Sequence, residues 1–301
     1  MRSAAIMTGI ASNTREYVLL LVLATLWGAS YTFIRLGVAT IPPVTLIAAR
    51  TSIGGALLFV VLAARGNTMP RDMTTWWRFM LQALLNSVIP FTLIAWAEKT
   101  VGAGLTTILC STSPIFTCLI TFGITRHESA TPTKLFGVVS GIAGIVLIVG
   151  VEALSGIGNQ VLADFAIIAA ALCFAGAAIF GRGFGTLDPM LPAAGSMLCG
   201  SLVLIPISLV VERPWTIAPS AISVMALTAL SVFSTACAFV LYFRLVRTLG
   251  SVGVTAQAYI RVPVGVGMGI AFLGESLAPS ALVGLACVIA GVAAMMRPAR
   301  A

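Results

Sequence analysis

Residues 128–144 read ESATPTKLFGVVSGIAG, and residues 275–291 read ESLAPSALVGLACVIAG. Both follow Glu-x3-Pro-x4-Gly-x6-Gly: Glu128, Pro132, Gly137 and Gly144 in one, Glu275, Pro279, Gly284 and Gly291 in the other. The offset is about 147 residues, close to half of the 301-residue chain. Two further pairs keep that order and offset. Gly37-x2-Thr40-Ile41-x-Pro43 recurs as Gly183-x2-Thr186-Leu187-x-Pro189, and Lys99-Thr100-Val101-Gly102 recurs as Arg247-Thr248-Leu249-Gly250. Three matched motifs in one order mark a duplicated chain, expected to divide into a first repeat at 1–150 and a second at 151–301.

The surroundings of the motif are strongly apolar. The chain is 59% hydrophobic and 9% charged, whereas a soluble domain carries about 25% charged residues. A transmembrane helix needs about 20 mostly apolar residues, and the expected spans are 18–38, 43–64, 74–97, 102–124, 132–150, 160–181, 191–211, 220–246, 251–273 and 279–296. Short connectors rich in Pro, Gly and charge separate them, and none is long enough for a soluble domain. The first span exceeds a signal-peptide core and no small-residue cleavage site follows it, so it is expected to stay attached. The six cysteines fall in apolar stretches without a CxxC, and read as buried thiols. No metal-ligand spacing occurs, and neither metal nor cofactor is expected.

Five helices per copy is an odd number, so the second copy inserts upside down. The expected fold is an all-α polytopic membrane protein of ten transmembrane helices in two inverted five-helix repeats. Lys and Arg set its orientation. Arg2, Arg15, Arg65, Arg71, Arg78, Arg126, Lys134, Arg182, Arg244, Arg247, Arg297 and Arg300 fall on the amino-terminal side, against Lys99 and Arg213 on the other. Both termini are therefore expected in the cytoplasm. The net charge of +8 is a topology signal, not a nucleic-acid surface. The expected partners are the lipid bilayer and a small-molecule substrate, and a monomer is compatible with the sequence. Inverted repeats around a pseudo-twofold axis can expose a central site to either side alternately.

The paired Glu/Pro/Gly motif, Trp27-Gly28 in the first helix, Arg50 in the second, and Pro114 ahead of Glu128 resemble the EamA family of the drug/metabolite transporter superfamily. The resemblance covers nearly the whole chain. It implies ten helices, an inverted repeat, a central cavity and export of small metabolites across the bacterial inner membrane, with the aromatic amino acid exporter subgroup the nearest in appearance. The second copy departs from the pattern, with Cys173-Phe174 in place of Trp27-Gly28 and Ser196 in place of Arg50. Arg261 is not part of the family pattern.

Ionisable groups inside a bilayer are costly and are functional candidates by default. Arg261 is expected near the midplane of its span, two residues before Pro263, which removes an amide donor and loosens the helix. Arg50 also lies well inside its span. No span carries a central acid; Glu98 and Asp164 lie near span ends and Glu16 before the first. An excess of buried guanidinium favours a ligand that brings its own carboxylate, which arginine holds in a bidentate fork. The alternative is that each arginine binds helix-end carbonyls or snorkels to the headgroups. Further candidates for substrate contact are Trp27 and Tyr31, one helical turn apart, Gln257 one turn before Arg261, Ser111 and Ser113 ahead of Pro114, and Asn86. Each of the polar ones could equally be interhelical glue. Pro114 and Pro263 are candidate hinges. Glu128 and Glu275 are expected to cap the helices that follow them.

These features favour an inner-membrane exporter of small metabolites, amino acids foremost and apolar or aromatic ones among them. Two arginines would also suit a sugar phosphate, nucleotide sugar or other organic anion. A membrane-embedded enzyme would need a catalytic constellation, and none is visible. A first helix without an acid disfavours antiport of cationic drugs.

Overall fold

The computed structural model describes residues 2–120, 136–137, 139–144, 146–147, 158–255 and 257–295. Every regular element in them is helical. The helices are α1 (Arg2–Gly37), α2 (Pro43–Ala64), α3 (Met73–Ala83), α4 (Ile89–Ala97), α5 (Ala103–Cys110), α6 (Ser113–Ile120), α7 (Gly158–Gly181), α8 (Met190–Ile207), α9 (Ala221–Ser231), α10 (Ala238–Thr255), α11 (Gln257–Leu273) and α12 (Pro279–Met295). Residues 139–144 are also helical. Among the described residues, six segments are long and apolar enough to cross a bilayer: 15–37, 43–64, 73–97, 160–184, 190–212 and 221–245.

Local chemistry sets the ends. Asp72 accepts from the Thr75 N–H at 2.8 Å and starts α3, and Ser220 does the same for α9 through Ser223 N–H at 3.2 Å; each satisfies an orphan first-turn donor. Pro43 occupies the first turn of α2, where its missing N–H costs nothing. Two helices are interrupted by π-helical turns, Leu84–Val88 between α3 and α4 and Val232–Cys237 between α9 and α10. Pro90 follows the first of them; lacking an N–H, it cannot bond the carbonyl four residues back.

The duplication appears as direct contact between the two copies of the motif. Ser140 donates a 2.9 Å hydrogen bond to the carbonyl oxygen of Cys287, its own counterpart 147 residues on. On one side of that pair, a methyl group on Gly144 would lie 2.7 Å from the Gly284 carbonyl oxygen; on the other, one on Gly291 would lie 2.5 Å from that of Gly137. Exchanging the copies turns either contact into the other, and 137 meeting 291 while 144 meets 284 makes the helices antiparallel. The repeats are therefore inverted about an axis between Ser140 and Cys287.

Elsewhere the halves interleave. Helix α2 packs on α8, α1 on α9, α10 and α11, α4 on α7, and α5 on α11. Two carboxylates of the second half hold helix starts of the first. Glu212 accepts from Val44 N–H at 3.1 Å and Thr45 N–H at 2.7 Å, and Glu275 from Ala103 N–H at 2.7 Å and Gly104 N–H at 2.8 Å.

Several boundaries differ from the sequence expectation. The span 102–124 is broken at Ser111 and Thr112, where both hydroxyls turn back onto carbonyls of α5. The expected connector at 246–251 is helical, because α10 runs on to Thr255; Arg247 and Gly250 do not stop a helix whose backbone bonds continue. Helix α11 is described from Gln257, with Arg261 four residues on. Glu275 does not cap its own helix α12. Left-handed Gly274 (φ +65°) ends α11 and turns the chain, so the carboxylate reaches the orphan N–H groups of α5. Glu128 and Pro132 lie outside the described residues.

Candidate functional site

A cavity opens between the halves, with walls from α1, α2, α4, α6, α7, α10 and α11 and from the first π turn. Of the candidates for substrate contact, Trp27, Tyr31, Arg50, Asn86, Ser113, Gln257 and Arg261 line it, and so does the hinge candidate Pro114. Ser111 does not; its hydroxyl is spent on the Ile108 carbonyl at 2.5 Å. Pro263 is exposed on the other side of α11, which continues through it unbroken. Its expected hinge role has no break to support it, because the carbonyl it orphans lies within an otherwise regular helix.

Arg50 is fully buried. Its Nε donates to Thr235 Oγ1 at 2.7 Å, Nη2 approaches the Ser234 carbonyl at 3.5 Å, and the guanidinium carbon sits 3.7 Å above the Phe91 ring. Both hydrogen-bond partners belong to the second π turn. Thr235 uses its proton on the Leu230 carbonyl at 2.9 Å, which leaves its oxygen free to accept from Arg50. The ring face is attractive to a cation, but Arg50 Nη1 has no hydrogen-bond partner among the described residues.

Arg261 comes from the opposite wall. Its Nη2 donates to the Cys110 carbonyl at 3.3 Å, at the negative carboxyl end of α5, and its guanidinium carbon is 5.7 Å from the centre of the Tyr31 ring. It therefore makes the helix-end contact anticipated for a structural arginine and still has an unpartnered Nε. Asn86 Nδ2 and Gln257 Oε1 are likewise buried without partners among the described residues. Buried polar atoms are normally satisfied. Four orphans on one cavity lining are what a polar ligand would complete.

The remaining wall is aromatic. Trp27 lies 5.2 Å from Tyr242 and 6.0 Å from Phe239, centre to centre, and Phe91 lies 6.0 Å from Phe174. Phe91, Phe174, Phe239 and Tyr242 were not anticipated from sequence. Phe174 had a signal, as the counterpart of Gly28 in the repeat, and Phe239 and Tyr242 share a helical face. Glu98 and Asp164, expected near span ends, are both fully buried. Gly265 abuts the Thr107 side chain and Gly269 the Glu275 carboxylate.

Comparison with known proteins follows the same lines. A family model described as the EamA-like transporter family matches twice, over residues 14–150 and 161–297. The chain is 26% identical to the uncharacterized inner membrane transporter YedA of Escherichia coli (strain K12), over 89% of this chain and 86% of that one. It is 25% identical to the uncharacterized transporter YvbV of Bacillus subtilis (strain 168), over 93% and 91%. It is also 25% identical to a probable terminal-alkyne amino-acid exporter of Streptantibioticus cattleyicolor, over 88% of each. A solved crystal structure of 18% identity covers 94% of this chain and 97% of its own, with a TM-score of 0.65, and shares the fold.

Proposed function

Because the chain belongs to the EamA-like transporter family, we propose that it exports amino acids with apolar or aromatic side chains across the bacterial inner membrane, both termini being cytoplasmic. The observation that carries this reading is the division of the cavity wall. Guanidinium groups with unused donors stand on α2 and α11, and aromatic rings from α1, α4, α7 and α10 fill the rest. A carboxylate brings the charge that two arginines lack, and a fork of N–H donors holds it at defined angles. An apolar or aromatic side chain removes water from the rings facing it. Gln257 Oε1 can accept from the α-amino group, and Asn86 Nδ2 can donate to the carboxylate or a bridging water. Both copies contribute to the wall, so a rearrangement exchanging their conformations would open the site to the other side. The amino-acid exporter among the relatives supports the substrate class, and an inner membrane relative supports the location.

The test is counterflow in proteoliposomes preloaded with phenylalanine, leucine, a dicarboxylate or a sugar phosphate. Exchange with the first two and not with the others is the expected result. Exchange confined to sugar phosphate would replace this reading by the organic-anion one, which the arginine pair also suits.

A further inference from the structure

Glu98 lies just beyond the end of the apolar segment Met73–Ala97, where a carboxylate would ordinarily face water. Instead it is 0% exposed, and neither carboxyl oxygen has a hydrogen-bond partner among the described residues. Its backbone carbonyl accepts from the Arg35 guanidinium at the end of α1. The charges acting on its carboxyl are Arg35 of α1, Arg50 of α2 and Glu275 of the loop before α12; Tyr31 of α1 and Cys110 of α5 also feel its charge. The connector that carries Glu98 runs into the junction in which Glu275 holds Ala103 and Gly104. An ionised carboxylate left dry and without hydrogen bonds costs far more than a neutral one. Burial, reinforced by the like charge of Glu275 and opposed by Arg35 and Arg50, pushes the Glu98 carboxyl well above the usual carboxylate range.

We infer that Glu98 is the proton-binding site of the transport cycle, holding a proton while the Glu275 junction closes this face and releasing it to water when the face opens. The inference rests on the transport reading above and adds the coupling ion to it. Opening would bring water to the carboxyl and carry Glu275 away, removing both influences that hold the proton. The sign follows from linkage: a proton bound more tightly in the closed form stabilises that form at low pH, and the stabilisation fades as pH rises through the closed-form pKa. Tyr31 and Arg50, which both feel the charge of Glu98, line the cavity. The charge on a ligand held by Arg50 therefore acts on the same carboxyl.

Two measurements test this. In infrared difference spectra of wild type against Glu98→Gln at pH 7, wild type should carry an additional band of a protonated carboxylic acid; a difference showing an ionised carboxylate instead overturns the proposal. In proteoliposomes, the Gln variant should keep phenylalanine counterflow within about twofold while losing the wild-type response of flux to an imposed pH gradient. A Gln variant that still responds, or a wild type that exchanges phenylalanine without responding, also overturns it. If wild type shows no counterflow at all, the substrate reading fails and the infrared difference decides the proton site alone. It decides alone, too, if only the Gln variant fails to exchange.

Discussion

Ser140 and Cys287 are the same position of the repeat, and they touch: the Ser140 hydroxyl donates to the Cys287 carbonyl at 2.9 Å. Placing equivalent residues against each other requires the backbones around them to approach closely. The motif glycines on either side permit this, since a side chain on Gly144 or Gly291 would enter a carbonyl of the facing helix. Gly144→Leu or Gly291→Leu is expected to destabilise the protein by at least the ~1–3 kcal/mol of ordinary overpacking. Thermal unfolding in detergent checks this, with Gly267→Leu, at a position open to space, as the tolerated control.

Glu275 spans 172 residues of sequence to reach Ala103 N–H at 2.7 Å. Glu275→Ala leaves two helix-end donors in a closed protein environment and is expected to cost about 1.5–3 kcal/mol, the range for hydrogen bonds to a charged group. Glu275→Gln, which keeps one acceptor, should lose less. Denaturation midpoints of the two variants order them; equal midpoints with wild type would show that the junction contributes no stability.

For Arg261, the expectation is a loss of affinity for the substrate carboxylate. Arg261→Ala should raise the counterflow KM for phenylalanine about tenfold or more, equivalent to ~1.4 kcal/mol, and Arg261→Lys should recover only part of it because a point charge replaces a fork. Phenethylamine, which lacks the carboxylate, should fail to compete in wild type. Unchanged KM in both variants would remove Arg261 from the site.

Trp27 rests on Tyr242 and Phe239, so its removal empties one side of the aromatic wall. Trp27→Ala is expected to weaken exchange of phenylalanine and leucine more than that of alanine. A uniform loss across the three in side-by-side counterflow would point to packing instead of selectivity.

Topology has its own check. Lys99 and Asn67 are both exposed, on connectors at opposite faces. A membrane-impermeant maleimide added to intact cells should label Lys99→Cys and spare Asn67→Cys; the reverse pattern would invert the orientation.

The repeat and most spans were legible in the sequence because hydropathy and Gly/Pro spacing are local signals. What escaped it depends on distant partners. Glu275 read as a cap for its own helix because the N–H groups it serves lie in another part of the chain. The break at Ser111 and Thr112 was hidden within one apolar stretch, although Pro114 stood beside it. Phe91 and Phe174 sit in helices apolar on nearly all sides, where no polar face marks which residues turn inward. Arg50 and Arg261 stood out, since charge in an apolar run is rare whatever the fold. Glu98 did not, because an acid at the end of a span looks like an interfacial residue until the neighbouring helices are seen to cover it.

The π turns at Leu84–Val88 and Val232–Cys237 have a consequence for the length of the chain itself. A π turn is one residue longer than the helical turn it replaces. Removing a single residue from 84–88 would let this turn close to an α turn and leave the face beyond it nearly in place, whereas a deletion in a regular helix rotates everything beyond it by about 100°. Phe91 and Ile94, on the cavity wall, lie just past the π turn in regular helix α4. The site, and the ring beneath Arg50, thus depend on the number of residues in α4 itself more than on the number in the turn before it.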